Sequence, residues 1–273
     1  MQTTDVLTTE PYVIADRDAR GVVRLTLNRP RQFNALSEEM LAALQAELDA
    51  IAADPQARVA VIAGQGKAFC AGHDLKQMRA NPSQEYYDEL FARCSQVMLT
   101  IQRMPQPVIA RVHGIATAAG CQLVAMCDLA IASEEARFAV SGINVGLFCS
   151  TPAVALSRNV GRKAAFEMLV TGEFIDARTA QTLGLVNRVV PAADLDAEVQ
   201  RLADAIVARP AEAIAIGKSL FYRQIEMGIA DAYHLAGETM ACNMMEPCAQ
   251  EGIDAFIEKR PPAWTTGDRS AAP

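Results

Sequence analysis

Histidine, tryptophan and aromatic residues in general are scarce in this chain: three His, one Trp, and 5% Phe, Trp and Tyr among 273 residues. With so few imidazoles, no metal-ligand set is assigned, and none is expected. No CxxC pair occurs, and the seven cysteines (Cys70, Cys94, Cys121, Cys127, Cys149, Cys242 and Cys248) are odd in number. That supports neither a zinc site nor a disulfide frame, and the thiols read as small apolar filler. No apolar run approaches the roughly 20 residues that cross a bilayer. The amino terminus carries neither a basic segment nor the apolar stretch of a secretory leader. A basic surplus is absent too. The net charge of −7 disfavours a nucleic-acid partner, which selects a basic face. The expected class is a soluble, cytoplasmic protein with no nucleic-acid or membrane partner.

What is abundant is apolar: 51% of residues are hydrophobic, enough for a large core. Short strand-like runs alternate with helical patterns. Val22–Asn28 alternates as a strand does. Ser37 is placed as an N-cap, with Glu38 and Glu39 in the first turn, and Met40, Leu41, Leu44, Leu48 and Ile51 share one helical face. Val59–Ala63 reads as a buried strand, Arg79–Asp88 as a polar stretch leading into a helix that ends near Arg103, and Val108–Val112 as the next strand. A helix from about Ala118 to Cys127 and a strand over Asp128–Ala132 follow, with Asp128 read as a structural acid. This order predicts an α/β core. After Pro191 only helical patterns remain, over 193–208, 211–227, 229–245 and 249–258. The organisation expected is a core of residues 1–190 and a helical region of residues 191–273, frayed from Thr265 onward.

Two segments carry the functional signal. Residues 68–76 read Ala-Phe-Cys-Ala-Gly-His-Asp-Leu-Lys, and residues 112–122 read Val-His-Gly-Ile-Ala-Thr-Ala-Ala-Gly-Cys-Gln. Each is a turn of small residues that leaves an apolar strand and leads into a helix. Little side-chain bulk stands between such a turn and a ligand, so backbone N–H groups are free to point at one oxygen. Two N–H groups converging on a thioester carbonyl make an oxyanion hole, often the largest single contribution to acyl-group catalysis.

These segments, in order, resemble the crotonase (enoyl-CoA hydratase/isomerase) superfamily. Leu27-Asn28-Arg29-Pro30 with Asn34-Ala35-Leu36 is similar to its opening signature, Phe69–Lys76 to its first oxyanion loop, and Ala118-Ala119-Gly120-Cys121 to its second. Thr171-Gly172, Gly184-Leu185-Val186 and Phe256–Arg260 complete the pattern. The resemblance is strongest to members described as enoyl-CoA hydratase-domain-containing proteins. It implies a spiral of ββα turns, a C-terminal helical region that trimerises, often a dimer of trimers, and an acyl-CoA ligand with no separate cofactor. It further implies that the His73 and Ala119 amides form the oxyanion hole, with the His73 side chain facing outward. Arg29, Phe33, His73, Asp74, Leu75 and Lys76 are then expected on the CoA side. Phe256 and Lys259 are expected to close the nucleotide site from a neighbouring subunit.

The chain departs from this pattern where hydration would need acids. Hydration requires a base for water and a proton for the adjacent carbon, work suited to two carboxyl groups. The positions that hold those glutamates in the family correspond here to Gln122 and Gly142, and a third acidic position to Ser150. Between Ser133 and Arg162 the only acids are Glu134 and Glu135, read as solvated. Asn144 reads as a turn residue, Cys149 and Ser150 as helix-start residues, and His113 as packing. Three functions fit: hydration, expected to be inefficient; decarboxylation or hydrolysis of an acyl-CoA through oxyanion stabilisation; or acyl-CoA binding without turnover. If only the acids are missing, restoring Glu at 122 and 142 together is expected to raise hydratase activity.

Overall fold

The computed structural model describes residues 10–265, so the readings made for residues 1–9 and beyond Thr265 lie outside the described residues. Thr265 itself closes a 3-10 turn, its N–H donating to the Pro262 carbonyl. The chain opens with an antiparallel pair, β1 (Val13–Arg17) and β2 (Val22–Leu27), in which Val13 faces Leu27. Ser37 then caps α1 (Glu38–Ala53) by accepting a hydrogen bond from the Met40 amide at 3.2 Å. The five apolar residues on the expected face of α1 are all buried.

Three ββα turns follow. The first is β3 (Val59–Gly64) and β4 (Ala68–Cys70), leading to α2 (Leu75–Ala80) and α3 (Gln84–Arg103). The second is β5 (Val108–Val112) and β6 (Ile115–Thr117), leading to α4 (Ala119–Met126). The third is β7 (Leu129–Ser133) and β8 (Arg137–Ala139), leading through a 3-10 turn over Ser141–Val145 to α5 (Ser150–Asn159) and α6 (Arg162–Thr171). In each turn the first strand joins one sheet and the second another. β9 (Ile175–Asp176), α7 (Ala177–Thr182) and β10 (Arg188–Val190) finish both sheets, in the orders β1-β2-β3-β5-β7-β10 and β4-β6-β8-β9. From β2 to β10 the larger sheet is parallel. This is the ββα spiral that the resemblance implied.

A parallel sheet is covered on both faces, which explains the unbroken apolar run of β3. Ala60 and Ile62 point into the main core with α1 and α3, whereas Val59 and Val61 join a second cluster with Leu195, Val199 and Ala203 of α8 (Leu195–Val207). The remaining helices are α9 (Ala211–Gln224), α10 (Ile229–Met244) and α11 (Pro247–Glu258). One difference from the sequence reading lies at residues 79–88. Instead of one polar stretch, α2 runs to Ala80 and α3 starts at Gln84, its cap Ser83 accepting from the Tyr86 amide.

α9 is fastened to the sheet by a buried cluster. Lys218 Nζ donates to Asp128 Oδ2 (2.7 Å) and to the carbonyls of Ile101 (2.8 Å) and Gln106 (2.9 Å). Asp128 also accepts from Tyr222 Oη (2.8 Å) and from the Val108 amide (2.6 Å). Asp128 is therefore the structural acid expected at a strand start. Desolvation pulls the Lys218 ammonium below its usual range, against the opposing pull of Asp128, and pushes the Tyr222 phenol up.

Candidate functional site

The two signal loops meet because two glycines let them. A Cβ on Gly72 would lie 2.9 Å from Ala118 Cβ and 3.1 Å from the Ala119 nitrogen, and Gly72 has φ +89°. A Cβ on Gly120 would lie 2.1 Å from the Cys70 carbonyl oxygen. Only a residue without a side chain permits these approaches. Ala118 turns the chain into α4 with φ 51° and ψ −121°, a region costly for any residue but glycine. The Ala119 N–H stands at the first position of α4, where no intrahelical acceptor exists. The His73 and Ala119 amides have no hydrogen-bond partner among the described residues.

A single buried side chain sets the frame beneath these loops. Asn34 is fully buried with φ 54°. Its Oδ1 accepts from the Arg29 amide (2.9 Å), and its Nδ2 donates to the carbonyls of Gln65 (2.9 Å), Ala68 (2.8 Å) and Phe69 (3.2 Å). Leu36 N–H donates to the Gly72 carbonyl (2.7 Å) and Ala71 N–H to that of Phe33 (3.0 Å). In sequence Asn34 is visible only as part of the opening signature, because its positive φ and its bonds to residues 29, 65, 68 and 69 join segments that no local pattern links.

The His73 side chain departs from expectation. Its ring tucks in edge-on against Phe91 of α3, with centroids 5.4 Å apart, and its Nε2 is buried with no partner. The apolar slot beside α3 offers the imidazole more contact than solvent does. Desolvation there lowers its pKa to about 4, so the ring is uncharged at neutral pH. Gln122, one turn into α4, is 5% exposed, and its Oε1 is also buried without a partner.

Gly142 belongs to the turn after β8, which is tied to β6 by the Thr117–Ser141 hydroxyl contact of 2.7 Å. Its amide donates to Cys149 Sγ (3.2 Å). A Cβ there would lie 2.5 Å from the Leu147 carbonyl oxygen and 2.7 Å from that sulfur. Cys149 is buried and its thiol pKa is raised by desolvation, which leaves it a poor nucleophile. Ser150 is exposed and bonds back to the Phe148 carbonyl, and Asn144 reaches the Gly172 carbonyl as a turn residue does. Glu134 pairs with Arg178 at the surface, as a solvated acid. His113 Nε2 sits 2.9 Å from the Gly66 carbonyl oxygen, a packing role.

The residues assigned to the CoA side are spread. Asp74 accepts from the Lys76 (2.9 Å) and Gln77 (3.1 Å) amides, capping α2. Leu75 and Lys76 are exposed beside it. Arg29 stacks on Tyr12 at 3.5 Å and donates to the carbonyls of Glu10, Pro11 and Asn28, so its guanidinium fastens the start of the described chain. Phe33 is half exposed with φ 51°. Phe256 and Lys259 lie at the end of α11, which packs with α9 and α10, and Phe256 is 83% exposed. Among the described residues, no three His, Cys, Asp or Glu side chains converge as metal ligands do. No described helix is long and apolar enough to cross a membrane.

Comparison with known proteins agrees with this architecture. The sequence model of a family described as enoyl-CoA hydratase/isomerase matches residues 17–267. The mitochondrial enoyl-CoA hydratase domain-containing protein 3 of Xenopus laevis is 49% identical over 245 residues, covering 90% of this chain and 83% of that protein. The crystal structure of the human enoyl-CoA hydratase domain-containing protein 3 is 44% identical with a TM-score of 0.90, over 93% of this chain and 100% of the other. A crystal structure described as enoyl-CoA hydratase of Mycobacterium smegmatis is 69% identical with a TM-score of 0.92, over 93% and 99%.

Proposed function

Because the chain belongs to the enoyl-CoA hydratase/isomerase family, we propose that it binds an acyl-CoA, holds the thioester carbonyl between the His73 and Ala119 amides, and does not hydrate efficiently. The observation that carries this reading is a pair of amides without partners among the described residues, on turns that meet at Gly72. The Gln122 side chain is a neutral amide, and burial keeps the His73 imidazole uncharged. Two N–H dipoles, one of them at a helix N-terminus, stabilise negative charge on the carbonyl oxygen. A primary amide takes no proton at neutral pH, and His73 is too weak a base to activate water well. Gly142 contributes no side chain.

Loss of CO2 from a malonyl-type thioester is the second reading. That reaction needs charge stabilised on the carbonyl oxygen and no base, which the two amides alone would supply. Thioester hydrolysis fits less well, for want of a base. The same proposal assigns Arg29, Phe33, Asp74, Leu75 and Lys76 to the CoA side, with Phe256 and Lys259 supplied by a neighbouring copy. It takes residues 1–190 as the thioester-holding core and residues 191–273 as the region that assembles a homotrimer or a dimer of trimers. It places the protein in the cytoplasm, which cell fractionation tests.

The deciding experiment is incubation with crotonyl-CoA and methylmalonyl-CoA, read by mass spectrometry, alongside calorimetric titration with a non-reactive CoA thioester. Saturable binding with no 3-hydroxyacyl product at an ordinary enzymatic rate is expected. CO2 loss selects the second reading, and binding with no turnover selects a scaffold. Rapid hydration overturns the proposal.

A further inference from the structure

β4 has little hold on the turn that follows it. It is three residues long, lies at the edge of the smaller sheet, and pairs there only with β6, at two residues with a register shift between them. His73 comes three residues later, so the sheet by itself leaves its amide loosely placed. The segment 33–36 supplies the missing anchor. It grips the chain at three of the four residues before His73: Asn34 Nδ2 donates to the Phe69 carbonyl, the Phe33 carbonyl accepts from the Ala71 N–H, and the Leu36 N–H donates to the Gly72 carbonyl.

Asn34 keeps that segment in shape. Phe33 and Asn34 both stand at positive φ, 51° and 54°, a strained pair for residues that carry a Cβ. Four hydrogen bonds of one fully buried side chain offset the strain, and they fix its orientation, since the oxygen meets an N–H and the nitrogen meets carbonyls. Gly64 leaves the space for them. A Cβ there would lie 2.9 Å from Asn34 Nδ2, 2.6 Å from the Phe69 carbonyl oxygen and 3.0 Å from that of Ala68. None of the four bonds reaches α4, which carries the Ala119 amide.

We propose that Asn34 is a positioning residue for the oxyanion hole. It fixes the His73 amide relative to the Ala119 amide, and so sets how strongly a bound thioester carbonyl is polarised rather than how tightly the ester binds. The inference rests on the acyl-CoA reading above. Binding energy is gathered along the whole CoA ester, whereas polarisation needs both donors about 2.7–3.1 Å from one oxygen. A displaced donor therefore costs polarisation first.

Dimethylaminocinnamoyl-CoA reports both quantities in the intact protein, because its absorption band moves to the red as its carbonyl is polarised and its titration gives Kd. The parent protein is expected to bind it with a red-shifted band. Asn34→Gly keeps the freedom for positive φ but removes the amide, and should lose at least half of that shift with Kd changed less than about threefold. Gly64→Ala keeps Asn34 and drives a methyl group between its amide and the two carbonyls, so it should show the same loss and carries the test if the first variant does not fold. Val199→Ala removes apolar contacts in the separate cluster beside α8. It should lower the thermal midpoint and keep the full shift, which separates positioning from general loosening. A full shift in either loop variant, a lost shift in Val199→Ala, or affinity lost in proportion to the shift overturns the proposal. In the parent protein, no binding or binding without a red shift overturns the acyl-CoA reading and the positioning role with it.

Discussion

At Gly142 the backbone leaves no room for the acid that the family resemblance called for. The Leu147 carbonyl and Cys149 sulfur occupy the space a side chain would need, and both belong to the turn that feeds α5. Gly142→Ala should therefore cost about 1–3 kcal/mol of stability, read by urea denaturation. The same crowding reverses the simple expectation from sequence. Gln122→Glu with Gly142→Glu should yield no hydratase gain in a crotonyl-CoA assay, because the turn must move before a carboxylate fits. His73 gives a second prediction at this scale. Its folded-state pKa lies near 4 against an ordinary 6.5, so the unfolded chain takes up a proton between those values that the folded chain refuses. Stability is then present in full above pH 6.5 and falls as pH drops toward 4, by about 3 kcal/mol in all. Urea midpoints at pH 7 and pH 5 should differ less in His73→Phe than in the parent protein. The inward imidazole could not be read locally because Phe91, its neighbour in space, stands 18 positions on in α3.

Among the elements, α9 owes its position to Lys218. Removing that ammonium leaves Asp128 buried and uncompensated, a change that typically costs 3–5 kcal/mol. Lys218→Met should lower the urea midpoint accordingly, and Asp128→Asn combined with Lys218→Met should recover part of the loss. Asp128 was legible as a structural acid from its place before a strand, but its partners stand 90 and 94 residues later and no local pattern links them. α1 was legible because its apolar spacing repeats along a 16-residue helix, and β3 because it is an unbroken apolar run stopped by Gly64. The second sheet was not read. Its strands are two or three residues long, too short for any alternation. α2 is the helix expected to leave the 68–76 turn, whereas the start of α3 was missed since its first turn faces solvent, although Pro82-Ser83 was a usable start signal.

On the scale of the whole molecule, the C-terminal helices expose more apolar surface than a monomer would keep. Ile229, Tyr233, Met240, Met245, Phe256 and Ile257 are each about 70% exposed or more. Surface of this kind marks an association face. Sedimentation velocity should return a mass of three chains of 29.4 kDa, or six. Tyr233→Asp should shift it toward one. The fold was legible in advance because the order of small-residue loops, strands and helices spans nearly the full length. The chemistry was legible only as an absence of acids, since what replaces them, an inward imidazole and a glycine pressed against a sulfur, depends on contacts between distant segments.

Asn34 has a consequence for motion. Its amide is a clasp with a fixed polarity, one face taking the Arg29 N–H and the other serving three carbonyls of the strand turn opposite. The segment around Arg29 and the turn that presents His73 therefore loosen together or not at all. Deuterium uptake at the amides of Asn34 and Ala71 should rise in step, and a thioester gripped at one end of this joint would be felt at the other without any rearrangement of helices.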